Sequence, residues 1–67
     1  MLLSKPCLEL LQELEEPRSL VSLQEIFDGR TIKAAEKAGY IMVYDTHMVM
    51  RTDVGHAAMV VAEQERK

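Results

Sequence analysis

A chain of 67 residues makes one small domain at most. At that length only ~60% of the unfolded surface is hidden on folding, and a net stability of a few kcal/mol is expected. The one cysteine, Cys7, rules out a disulfide within the chain or a C-x-x-C metal pair, and a net charge of −3 does not advertise nucleic-acid binding.

The single thiol favours a reducing intracellular compartment. Met1-Leu2-Leu3 is too short for a signal peptide, and no apolar run approaches the ~18 residues of a membrane span. A soluble cytoplasmic protein is expected, with no membrane partner. The charge is unevenly spread. Five of the eleven acids lie between Glu9 and Glu25, whereas the interval from Asp28 to Arg51 holds Arg30, Lys33, Lys37, His47 and Arg51 against Asp28, Glu36 and Asp45. One basic face on an acidic body is allowed by this pattern.

In chain order, Ser4 is a candidate N-cap, with Pro6 in the first turn where its missing N–H does no harm. Leu3, Cys7, Leu10, Leu11 and Leu14 recur at helical spacing, and Glu9, Gln12, Glu13 and Glu16 take the wet face. Pro17 ends this helix, and Arg18-Ser19 reads as a loop. Leu20-Val21 suits a two-residue strand. Ser22-Leu23-Gln24-Glu25 fits a capping box at the start of a second helix that carries Leu23, Ile26 and Phe27. Asp28-Gly29 breaks that pattern. A third helix from Thr31 to Ala38 places Ile32 and Ala35 on one face and Arg30, Lys33 and Lys37 on another. Gly39 then supplies a left-handed C-terminal cap.

Tyr40–Tyr44 and Met48–Arg51 read as two strands joined through Asp45-Thr46-His47. An even-length loop turns Ile41, Val43, Met48 and Met50 inward and leaves Tyr40, Met42, Tyr44, Val49 and Arg51 outward. An odd loop puts Arg51 on the face of Ile41 and Val43 instead. The even register is the expectation. Thr52 caps a last helix, with Asp53 placed well against the helix dipole. Val54, Ala57, Ala58, Val61 and Ala62 form its buried stripe, and Met59 and Val60 widen it beyond what a monomer of this size requires. The tail 63–67 is charged and expected to fray. There are no internal repeats.

The order helix, short strand, helix, turn, helix, hairpin, helix resembles a winged helix-turn-helix domain. The likeness rests on Ser22-Leu23-Gln24-Glu25-Ile26 for the first helix of the motif. For the recognition helix it rests on Thr31-Ile32, Ala35 and Ala38-Gly39-Tyr40-Ile41. Met50-Arg51-Thr52-Asp53-Val54-Gly55 is similar to the leucine–threonine–x–x–glycine junction after the wing in MarR-like and related small repressors. The likeness spans roughly residues 7 to 62. It implies an α+β fold, a small winged helix-turn-helix with three to four helices and a two- or three-stranded antiparallel wing, over a single domain 1–67. Two departures are visible: a short turn between Phe27 and Thr31, and Arg51 where the family usually has leucine.

The resemblance implies a DNA-binding transcriptional regulator that inserts helix 30–38 in the major groove of double-stranded DNA, acting as a homodimer. Lys33 and Lys37 would contact phosphates, Arg30 would read a guanine, and Thr31 would add a hydroxyl contact. His47 and Arg51 would lie on the wing. Val54, Ala58, Met59, Val61 and Ala62 would hold the dimer. The plainer reading of the basic stripe is a solvated face, with the lysines paired to Glu36 or nearby acids. A rival class is a protein-interaction module on the same fold, such as an inhibitor, an antitoxin-like partner or an assembly subunit. The methionines of the hairpin suit either core filling or a protein contact. No catalytic set, glycine-rich phosphate loop or metal-ligand spacing is present, so no enzyme, cofactor or metal is expected.

Overall fold

The computed structural model describes residues 3–65. Met1, Leu2, Arg66 and Lys67, and with them the start read against a signal peptide and the end of the charged tail, lie outside the described residues. Helix α1 spans Lys5–Glu13. Ser4 Oγ accepts the Cys7 backbone N–H at 3.3 Å, and Pro6 occupies the first turn as expected. The helix stops well short of Pro17 because its last carbonyls find other donors. Leu14 N–H donates to the Leu11 carbonyl, and Arg18 Nε donates to the Glu13 carbonyl at 2.9 Å. The buried face is Leu8, Leu10, Leu11 and Leu14, and Cys7 is only half-buried.

Strand β1 is Arg18–Ser19, one residue pair earlier than Leu20-Val21. The reason is Ser19. It has extended backbone angles, so it closes the strand and caps the next helix at once; its Oγ accepts the Ser22 N–H at 3.2 Å. Helix α2 therefore begins at Leu20 and runs Leu20–Ile26, with Ser22 inside it. The capping box centred on Ser22 and Glu25 does not form. Leu23 is fully buried, whereas Ile26 is outward.

Only Phe27 and Asp28 separate α2 from helix α3, Gly29–Lys37. Asp28 Oδ1 accepts the Arg30 N–H at 2.8 Å, which starts α3 two residues before Thr31. At the other end Gly39, at φ +84°, lets its own N–H reach the Glu36 carbonyl and the Tyr40 N–H reach the Ala35 carbonyl. This is the paired closure of a Schellman cap, as the glycine predicts.

Strands β2, Ile41–Tyr44, and β3, Met48–Arg51, form the hairpin. Their register pairs Ile41 with Arg51, Met42 with Met50, Val43 with Val49 and Tyr44 with Met48. The loop Asp45-Thr46-His47 is thus odd, and the even register is corrected. Val49 is fully buried and Ile41 nearly so, while Met42 and Met50 are outward. Two effects select this register. The β-branched Val49 fills the core beside Ile41 better than a flexible methionine does. The inward Arg51 also finds polar partners: its Nη1 donates to the Leu11 carbonyl at 2.8 Å and reaches Met59 Sδ at 3.1 Å, and its Nη2 lies 3.9 Å from a Glu15 carboxylate oxygen. β1 joins the free side of β3, so the sheet order is β1-β3-β2.

Helix α4, Asp53–Glu65, is locked to the end of α3 by Thr52. The Thr52 hydroxyl accepts the Gly55 N–H at 3.0 Å and donates to the Gly39 carbonyl at 2.6 Å, while its N–H donates to the Tyr40 carbonyl. A Cβ on Gly55 would stand 2.0 Å from the Tyr40 oxygen, so only glycine permits this approach. The inward residues of α4 are Gly55, Met59 and Ala62. The stripe is therefore rotated from the expected one, and Glu63–Glu65 remain helical rather than frayed.

Four helices and a three-stranded antiparallel sheet among the described residues make an α+β domain with the winged helix-turn-helix layout. Leu10, Leu11, Leu23 and Val49 anchor one core, each burial contributing ~1.5–3 kcal/mol. No helix among the described residues is long and apolar enough to cross a membrane.

Candidate nucleic-acid interface

Nine residues of α3 present a rod about 13 Å long, the scale of a helix segment that fits a major groove. Ile32 and Ala35 are buried. Advancing 100° per residue, Arg30, Lys33, Ala34 and Lys37 fall on the opposite side, and all four are exposed. Among the described residues the ion pairs are Arg18–Glu13 and Arg51–Glu15, so the three cations of this face pair with no carboxylate. Glu36 lies to one side of the stripe and Asp28 is engaged as the N-cap.

Arg30 stands between two shallow depressions. One runs towards α1, beside Glu9, Glu13, Ile26 and Phe27; the other runs towards the sheet, beside Leu20, Ile32 and Val43. Thr31 is half-buried, whereas the neighbouring cations Arg30 and Lys33 are exposed. Ala34 carries no signal of its own in the sequence, although its place four residues after Arg30 puts it on the same face, at the edge of the stripe. A side chain that small lets a flat surface come close to the helix backbone.

The wing tip is exposed at Asp45, Thr46 and His47, and Thr46 Oγ1 lies 3.5 Å from His47 Nδ1. Asp45 and Thr46 adopt positive φ values of 49° and 63°. Arg51 does not belong to this surface. Its side chain is only 11% exposed and bonded to α1, which removes it from the DNA-facing set.

The dimer set also divides. Met59 and Ala62 point into their own core at 5% and 2% exposure and are withdrawn, whereas Val54 and Val61 are outward at 59% and 52%, flanking Ala57 and half-buried Ala58. Cys7, His47 and His56 are not brought together, and no cluster of histidine, cysteine and carboxylate side chains that could hold a metal occurs among the described residues. Burial pushes the Cys7 thiol above its ordinary pKa.

No protein-family model, no curated protein and no solved structure matches this chain. The functional reading therefore stands on the geometry and chemistry of these residues.

Proposed function

We propose that the protein is a small DNA-binding transcriptional regulator of the cytoplasm that inserts α3 in the major groove as a homodimer. The observation that carries this reading is the outward face of α3. Arg30, Lys33 and Lys37 stand opposite the core side chains, exposed and free of ion pairs among the described residues. They occupy the second helix of the helix-turn-helix layout, the element that enters the groove in such domains. The lysines contact phosphates, Arg30 reads a base edge, and His47 touches the adjacent backbone from the wing. The outward strip Val54-Ala57-Ala58-Val61 of α4 supplies a self-complementary surface for a second copy.

Anisotropy titration against random duplex DNA at ~50 and ~200 mM salt tests the reading, with light scattering on the same sample. Micromolar binding that weakens steeply with salt is expected. The double variant Lys33→Ala, Lys37→Ala should bind all sequences more weakly and lower the salt slope by ~1.8, since each phosphate neutralised by a lysine contributes about 0.9. A slope unchanged in that variant would remove α3 from the interface.

A second reading, a protein-interaction module on the same fold, is favoured by the net charge of −3 and by Val21 and Ile26 of α2, each 62% exposed. Retention on heparin at low salt separates the two, because a localised basic face binds and an acidic adaptor passes through.

A further inference from the structure

The odd hairpin register gathers on one face three residues that the even register would have split between core and solvent. Met42 and Met50 are directly paired across β2 and β3, and Met48 lies two residues along β3 from Met50, opposite Tyr44. Met42 is 45% exposed, Met50 37%, and Met48 and Tyr44 are half-buried. Filling the core explains none of the three methionines, since the core side of this hairpin is Ile41, Val43, Val49 and Arg51. No charged residue of either strand shares the methionine face.

We propose that Met42, Met48 and Met50 form a thioether site for a soft monovalent metal ion, Cu(I) in the cell. Directly paired residues have Cβ atoms ~4.5–5.5 Å apart and diagonal neighbours ~7–8 Å, and the three rotatable bonds of methionine let all three sulfurs converge on one point between them. Thioethers are soft, neutral donors. They select Cu(I) and its analogue Ag(I) over hard ions, and, carrying no charge, they offer nothing to offset the second charge of a divalent ion. The ligands release no proton on binding, and the ion changes no oxidation state. The proposal does not rest on the DNA reading, because the site lies on the outer face of the sheet and uses none of the α3 cations. Its consequence for the molecule is a stiffened wing, both strands being pinned by one ion.

The test uses the full chain with Cys7→Ser, which removes the one thiol that would outcompete thioethers for the metal, in chloride-free buffer with Ag(I) as a redox-inert probe. The expected result is one Ag(I) per chain by native mass spectrometry, with NMR shifts at the methyl groups of Met42, Met48 and Met50. The Met59 methyl is the internal control, because its sulfur already faces Arg51 in the interior. Met50→Leu, which conserves volume and keeps the fold, should weaken binding ~10-fold or more. The proposal is overturned if Cys7→Ser takes up no Ag(I) from a several-fold excess. It is equally overturned if the variant with Met42, Met48 and Met50 all changed to leucine binds as tightly as its parent while circular dichroism shows both folded.

Discussion

Replacing Arg51 by leucine separates a structural arginine from a DNA-contacting one. The guanidinium donates to the Leu11 carbonyl at 2.8 Å with little solvent access, and hydrogen bonds from a charged group contribute ~1.5–3 kcal/mol. Two features pull the figure down. The Leu11 carbonyl keeps the Leu14 N–H as a donor at 3.2 Å, so it is not orphaned. Leucine also restores part of the packing that the arginine stem supplies. The Glu15 contact, at 3.9 Å and with that carboxylate 75% exposed, adds ~0–1 kcal/mol at most. The expected loss is about 1.5 kcal/mol, which in a domain of this size lowers Tm by roughly 6–12 °C. Urea unfolding followed by far-ultraviolet circular dichroism reads it, and Glu15→Gln should stay within ~0.5 kcal/mol of the parent. The salt slope of DNA binding should not change in Arg51→Leu, whereas an arginine seated on a phosphate would take ~0.9 from the slope on its removal. Unchanged stability together with a reduced slope would refute the inward assignment of Arg51.

Gly55→Ala places a Cβ against the Tyr40 carbonyl that neither backbone can yield, and should cost several kcal/mol or prevent folding, read from the same urea curve. Thr46 is β-branched at φ 63°, so Thr46→Gly should relieve strain and raise stability by ~0.5–1 kcal/mol; a lower urea midpoint would contradict that. Val61 is 52% exposed, so Val61→Glu should leave monomer stability within ~0.5 kcal/mol while converting the proposed dimer to monomer in light scattering. A dimer that persists in Val61→Glu would move the interface away from α4.

The parts legible in the sequence are those in which one local signal had no competitor. Ser4, Gly39 and Thr52 cap as their residue types predict, because a cap depends on backbone groups within four residues of it. The separation of Arg30, Lys33 and Lys37 from Ile32 and Ala35 was equally visible, since the 3.6-residue period alone sets it. The start of α2 was not. Ser19 and Ser22 are both competent N-caps, and the choice fell to Ser19 because Arg18–Ser19 also pairs with Val49 and Met48 some thirty residues away.

The same distinction governs the wing and the last helix. Loop parity in Asp45-Thr46-His47 cannot be read from three polar residues. It was decided by which face could bury Val49 beside Ile41 and still give Arg51 an acceptor, and that acceptor, the Leu11 carbonyl, is brought by α1. On α4 the run Val54 to Ala62 is apolar nearly all round, so its own pattern does not say which side is inward. The close approach of Gly55 to Tyr40 sets the rotation, and Met59 and Ala62 follow it into the core. The sequence by itself determined the order of elements, most of their caps and the basic face of α3, because these are local and periodic. Only the tertiary structure decided the hairpin register, the inward Arg51, the outward methionines and the turned face of α4, because each is a choice between locally equivalent options that distant contacts resolve.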